Sequence, residues 1–266
     1  MGKELARILS PSRMSTYRHE WVRTTEDSVA SISENSLGSL YLRQLSVSSA
    51  WYENLALVEA AVRHAVDTAL RQWNANASSD GSPDWLNQPA SPLSGLVGTM
   101  SAEAARRAAM AARRRDPRHP RHRAEVTLDD RVAQLGFGNL SHLFPAIPPR
   151  NRSKFRSGFN DRENLWLHAL SPAFPGIDDQ LLRTWSQRVP RETPTQVQAG
   201  YIVGSAVDQL RRLRNRISHQ EQTFRVRHEA RLQDVEHLLR AISPSAAAEL
   251  QHLDLVRRTL LFRPGT

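Results

Sequence analysis

Residues 210–221 read LRRLRNRISHQE, and within them Arg214, Asn215 and His219 stand in the order Arg-Asn-x-x-x-His. These side-chain types suit one reaction in particular. RNA breaks when its own 2′-hydroxyl attacks the adjacent phosphorus, provided that one proton is taken from that hydroxyl and another is given to the leaving 5′-oxygen. An imidazole with an ordinary pKa near ~6.5 can take or give a proton at neutral pH. A guanidinium holds a phosphate in the ground state and as charge builds on it. An amide side chain can orient either group by hydrogen bonding. Nothing in this chemistry requires a metal ion or a cofactor. The plainer explanation is composition: arginine is abundant here, and basic residues in the last turn of a helix complement its dipole.

The spacing also has a geometric consequence. Five residues on a straight helix turn a side chain by about 140°, so Arg214 and His219 do not share a face. One chain also supplies one such histidine, whereas concerted acid–base catalysis wants two groups. Both problems ease if two copies pool their motifs, so a homodimer with a composite site is expected.

The motif needs a stiff support, and the chain offers helices. Val203, Ala206, Val207, Leu210, Leu213 and Ile217 recur at helical spacing along 195–217. Leu55, Val58, Val62, Val66, Ala69 and Trp73 form a similar stripe along 51–74. Further helices are expected at 12–24 (capped by Ser12), 26–47, 101–115 (capped by Ser101), 161–170, 178–189 and 223–241. A Thr-x-x-Asp box at Thr127 opens another, lost near Gly136 and Gly138. Ser243 and Pro244 start a last helix, ending near Leu261. Residues 75–99 have loop composition, with Trp85 and Leu86 expected to pin the loop to the core. No segment alternates with the period of a strand, so the fold class is all-α, a helical bundle with a long irregular, basic middle segment, read as one domain over 1–266.

The 266 residues carry 36 Lys+Arg against 27 Asp+Glu, a formal charge of +9. Lys3 and Lys154 are the only lysines, so the charge is arginine, which matches phosphate in a bidentate geometry. A GC-rich genome would produce the same bias. With no cysteine, disulfides, thiolate metal sites and cysteine nucleophiles are excluded. The absence of long apolar runs predicts a soluble, cytoplasmic protein without membrane partners. No Gly-rich phosphate loop, His-Glu-x-x-His or nucleophile elbow occurs.

An Arg-rich insertion at 104–125 contains the densest basic run, Arg106–Arg123, with eight arginines and two histidines against Asp116. It reads as a solvated loop, as an RNA-backbone contact through Arg113, Arg114, Arg115 and Arg118, or as a contact for another protein. His119 and His122 make a poor metal pair without acids nearby. Arg211, Arg212 and Arg216 flank the motif and are candidate RNA contacts. The loop at 150–159 interleaves Arg150, Arg152, Lys154 and Arg156 with Phe155 and Phe159, which serve either as stacking platforms or as core anchors. Glu59 lies in the apolar stripe of its helix, where a carboxylate needs a partner. Arg63 one turn on is the simplest; Arg214 across the bundle is the functional alternative. Glu221 either supports the site in the same way or is a solvated charge.

Taken together, LRRLRNRISHQE, LALVEAAVRHAV (55–66), Asp84-Trp85-Leu86, RVAQLGFGNLSHLF (131–144) and NLWLHALSPAFPG (164–176) resemble, in order and spacing, the Abi-like (AbiD/AbiF-type) abortive-infection proteins of the HEPN superfamily. The resemblance covers roughly residues 13–225. It departs from the family pattern at Arg63-His64, at His219-Gln220 and in the Arg106–Arg123 run. It implies a helical, metal-independent endoribonuclease in which Arg214 and His219 are catalytic and Asn215 supports them. It also implies single-stranded or loop RNA as substrate, and a defence or toxin role restrained by a regulatory RNA or an antitoxin. The alternative within the same resemblance is a non-catalytic helical module that binds or senses RNA.

Overall fold

A computed structural model describes residues 2–25, 32–185, 189, 193–250 and 255–261, and among these every regular element is helical. The first is α1 (Gly2–Ile8), followed by α2 (Pro11–Thr25). The cap of α2 is Ser10 rather than Ser12: its Oγ accepts from the Arg13 N–H at 3.3 Å, and Pro11 takes the first helical position, where a missing N–H costs nothing.

The two helices expected at 26–47 and 51–74 are one. α3 runs unbroken over 44 residues, from Glu34 to Ala77, with Ser33 as its N-cap; residues 26–31 lie outside the described residues. The gap between the two expected spans holds Ser48, Ser49 and Ala50, with no Gly or Pro that would stop a helix. Ser46 returns its hydroxyl to the Leu42 carbonyl, and Ala50 and Trp51 are buried, so packing carries the helix through. α3 is the central strut, packing against α1, α2 and the C-terminal helices.

Trp85 and Leu86 are fully buried, as expected, and Trp85 donates its Nε1–H to Asp67 at 2.8 Å. The expected 75–99 loop is shorter than its composition suggests. α4 spans Ser94–Arg113, because Val97, Met100, Ala104 and Ala108 already recur at helical spacing; Ser101 lies inside it and caps nothing. The 104–125 segment is therefore half helix. Next come α5 (Leu128–Val132), opened by the expected Thr127–Asp130 capping box, α6 (Phe137–Ser141) and α7 (Asp161–Leu165), which continues into a π-turn at Trp166–Leu170. α8 (Asp179–Trp185) follows; the remainder of the helix expected to 189 falls largely outside the described residues.

α9 (Thr195–Ser218) carries the motif. Its inner face runs Val197, Tyr201, Val203, Ala206, Val207, Leu210 and Leu213, all buried. Gly200 and Gly204, one turn apart, let neighbouring chain come close. A Cβ on Gly204 would stand 2.4 Å from the Pro145 carbonyl oxygen and 2.9 Å from Phe144, and one on Gly200 2.7 Å from the Trp166 ring. The stretch after α6 is thus held against the α9 backbone itself. α10 (His228–Ile242) starts five residues later than expected, because Thr223 serves as an anchor instead. α11 (Pro244–Leu250) and α12 (Leu255–Leu261) lie within the span of the last expected helix, with 251–254 outside the described residues. Among the described residues, no helix is long and apolar enough to cross a membrane.

Candidate functional site

α9 stays regular to its end. The His219 N–H still bonds the Asn215 carbonyl at 2.9 Å, and the helix then closes in a Schellman turn: Gln220 N–H to Ile217 O at 2.9 Å, Glu221 N–H to Arg216 O at 2.8 Å. Gln220 adopts φ 54°, the left-handed conformation this closure requires. With no loosening near Ser218, Arg214 and His219 diverge as the five-residue offset dictates. Arg214 and Asn215 line a cleft of about 720 Å³; His219, on the other side, lines a groove of about 530 Å³ that Asn215 also borders.

In the cleft, Glu59 of α3 faces Arg214, Oε2 to Nε at 3.9 Å. Glu59 is mostly enclosed, its side chain 15% exposed, whereas that of Arg214 is 50% exposed. Of the two expected partners, Arg63 is turned elsewhere: its Nη1 donates to the Ala133 carbonyl at 2.8 Å, tying α3 to the turn before α6. Gly136 makes room for the carboxylate, since a Cβ there would lie 3.2 Å from Glu59 Oε1. The pair is loose and partly wet, a geometry worth at most about 1 kcal/mol. It biases the guanidinium without consuming its donors.

The groove around His219 is strongly basic, with Arg212, Arg216, Arg225, Arg227 and Arg231 on its walls and Glu221 as its acid. Of the two readings of Glu221, support of Arg214 is not what the structure has; its side chain is 57% exposed, as a solvated charge would be. Glu221 lies beside Arg216, at 3.9 Å, because the Schellman turn carries it back along α9 on the His219 side. Arg216 also donates to the Gln222 carbonyl at 3.1 Å. Arg211 and Arg212 both grip Asp208, at 2.7 Å each; burial would raise that carboxyl, but their hydrogen bonds hold it below its ordinary value. Arg212 stays largely exposed and Arg211 less so. Sequence reading missed Arg225 and Arg227, which are exposed; they fell within a segment read as helix, and their signal was alternation, Arg-Val-Arg, on a strap.

That strap, 219–227, is fastened from behind. Arg13 of α2 donates to the Gln220 carbonyl at 2.8 Å. The Gln44 side chain of α3 bonds Thr223 at backbone and hydroxyl, 3.1 Å each. His228 Nε2 lies 3.1 Å from the Thr223 carbonyl and must carry the hydrogen there, so Nδ1 accepts from Trp51 Nε1–H at 2.9 Å. This is the neutral ring, and burial lowers its pKa below the ordinary 6.5.

The Arg106–Arg123 run divides. Arg115, one of the candidate RNA contacts, is instead turned inward: it is nearly enclosed, donating to the Arg121 and Ala124 carbonyls and to Asp130 at 2.8 Å. Arg121 joins it on Asp130, whose carboxyl is held far below the usual carboxylate range, first by the Arg121 hydrogen bond. His122 Nδ1 meets the Arg115 carbonyl and His119 Nδ1 accepts from the Arg121 N–H. The run is an organised turn, with Arg113, Arg114 and Arg118 facing outward. In the 150–159 loop, Arg152 is likewise committed, forming a two-pronged pair with fully buried Glu163 and lying over the Phe159 ring, which packs against the core. Among the described residues, no group of three or more His, Asp or Glu side chains is gathered as a metal site would need.

Comparison of the chain with family models, with curated proteins and with solved structures finds no match.

Proposed function

We propose that this protein is a metal-independent endoribonuclease of the HEPN type, acting as an abortive-infection or toxin effector on single-stranded or loop RNA. The observation that carries the reading is the disposition of the motif. Arg214 and His219 are both solvent-exposed, each opens into its own polar recess, and Asn215 borders both. A phosphate held by Arg214, with its bridging oxygens in reach of an imidazole, has what cyclisation to a 2′,3′-phosphate requires. Glu59 orients Arg214, and the arginines around His219 give the flanking backbone a path.

Because the two side chains diverge within one chain, the complete site is formed by two copies. A surface suited to pairing adjoins the motif: Leu45 and Tyr52 of α3 are exposed, 41% and 67%, beside Gln220 and Glu221.

The test is incubation of the purified protein with total RNA in EDTA. Cleavage persists and leaves 2′,3′-cyclic phosphate ends. Loss of cleavage on chelation, restored by Mg²⁺ or Mn²⁺, contradicts the mechanism; RNA binding without cleavage in either condition favours the non-catalytic RNA-binding module.

A further inference from the structure

Concerted cleavage needs two proton carriers, and the motif contains one. The cleft that holds Arg214 and Asn215 contains a second imidazole, that of His142. We propose that His142 is the second proton-transfer residue of the site, an inference that rests on the ribonuclease reading above.

His142 is the C-cap residue of α6, and its N–H bonds the Asn139 carbonyl at 3.2 Å. Its own side chain is exposed, while Leu140, Leu143 and Phe144 around it are buried. Phe144 and Pro145 abut α9 at Gly204, at distances where not even a Cβ would fit. This stretch therefore cannot slide along α9, and the backbone of His142 keeps a fixed relation to that of Arg214 about three turns on. Preorganisation of this kind is what a proton-transfer group requires. The volume of about 720 Å³ accommodates a nucleotide. The charged groups facing the cleft with His142 are Glu59 and Arg63 from α3, Glu103 and Arg107 from α4, Arg162 from α7, and Arg214. Arg107 is engaged by Glu103, and Glu59 lies against Arg214. His142 is the one imidazole among these lining residues.

The step balances with these groups alone. One imidazole, neutral, accepts the 2′-hydroxyl proton as O2′ bonds phosphorus. The other, protonated, gives its proton to O5′ as the P–O5′ bond breaks. The products are a 2′,3′-cyclic phosphate and a 5′-hydroxyl, and Arg214 stays on the non-bridging oxygens throughout. With His219 delivered by a second copy, each Arg214 cleft then holds a cation and both proton carriers.

The experiment compares full-length wild type, His142→Ala, His219→Ala and Arg214→Ala on a mixed-sequence single-stranded RNA. Single-turnover rates are measured against pH, and affinity is measured with the non-cleavable 2′-deoxy strand. For His142→Ala the rate falls by about 10²–10⁴-fold, affinity stays within about threefold of wild type, and the two-limbed pH profile keeps one limb. Because His142 is exposed, the variant keeps the wild-type melting temperature. A His142→Ala rate within about threefold of wild type, with the other two variants inactive, overturns the assignment of His142 and leaves the ribonuclease standing. Rate and affinity falling together, with both limbs kept, also overturns it, reducing His142 to a binding residue. A wild type that cleaves nothing overturns both.

Discussion

Arg214 is positioned by a carboxylate from another helix, and here activity and stability come apart. Glu59 sits among Leu55, Val62 and Val66, so it is largely withdrawn from water, yet its partner is half exposed. As an ion pair it contributes little to folding. On the proposed ribonuclease reading, its constraint on the guanidinium contributes to the rate. Glu59→Gln therefore changes the melting temperature slightly and lowers kcat/KM by about tenfold or more, the scale expected when an orienting group is removed. A thermal melt beside single-turnover kinetics checks this; unchanged kinetics removes Glu59 from the site. The need of Glu59 for a partner was legible in the sequence. Which partner it takes was not, because the choice depends on Arg63 being drawn off by the Ala133 carbonyl, 70 residues away in the chain.

At the scale of elements, periodicity was a good guide wherever an apolar face was long. α9 appears within one residue of its expected end, since Val203, Ala206, Val207, Leu210 and Leu213 are buried at helical spacing and a Schellman turn stops it. Boundaries failed where packing outweighed composition: α3 runs through its serines, and α4 starts among residues that look like loop. The basic run failed differently. Eight arginines look alike in a sequence, and only the fold reveals that Arg115 and Arg121 are fastened to Asp130 while Arg113, Arg114 and Arg118 face solvent. These two classes have distinct consequences. Replacing Arg113, Arg114 and Arg118 with alanine leaves the melting temperature unchanged and flattens the salt dependence of RNA affinity, by up to about 0.7 in slope for each phosphate no longer neutralised. Arg115→Ala instead destabilises the protein by about 1–3 kcal/mol, because the Arg121 and Ala124 carbonyls lose their side-chain donor and the mostly enclosed Asp130 keeps only one of its two guanidinium partners, Arg121. Equal behaviour of the two variants in a denaturant titration and a salt series would refute the division.

The whole molecule presents its motif on two sides of one helix end, the cation towards a cleft and the histidine towards a basic groove, with the strap behind His219 clamped to α2 and α3. That division follows from a helix that does not unwind, and it was legible in the five-residue spacing. The cleft wall supplied by α6 was not, since it needs the close backbone approach at Gly204. On the proposed ribonuclease reading a divided motif works only when reunited, which assigns the chemistry to a pair of copies. The measurement that tests this most directly is RNA cleavage in EDTA by purified Arg214→Ala and His219→Ala, each shown by melting and by light scattering to fold and dimerise as wild type does. Both are inactive. An equimolar mixture of the two regains activity, because each site draws Arg214 and His219 from different copies and one intact site then forms per mixed dimer. Cleavage retained by His219→Ala at the wild-type rate would contradict the account and leave the arginine-lined groove as an RNA-binding surface without catalysis.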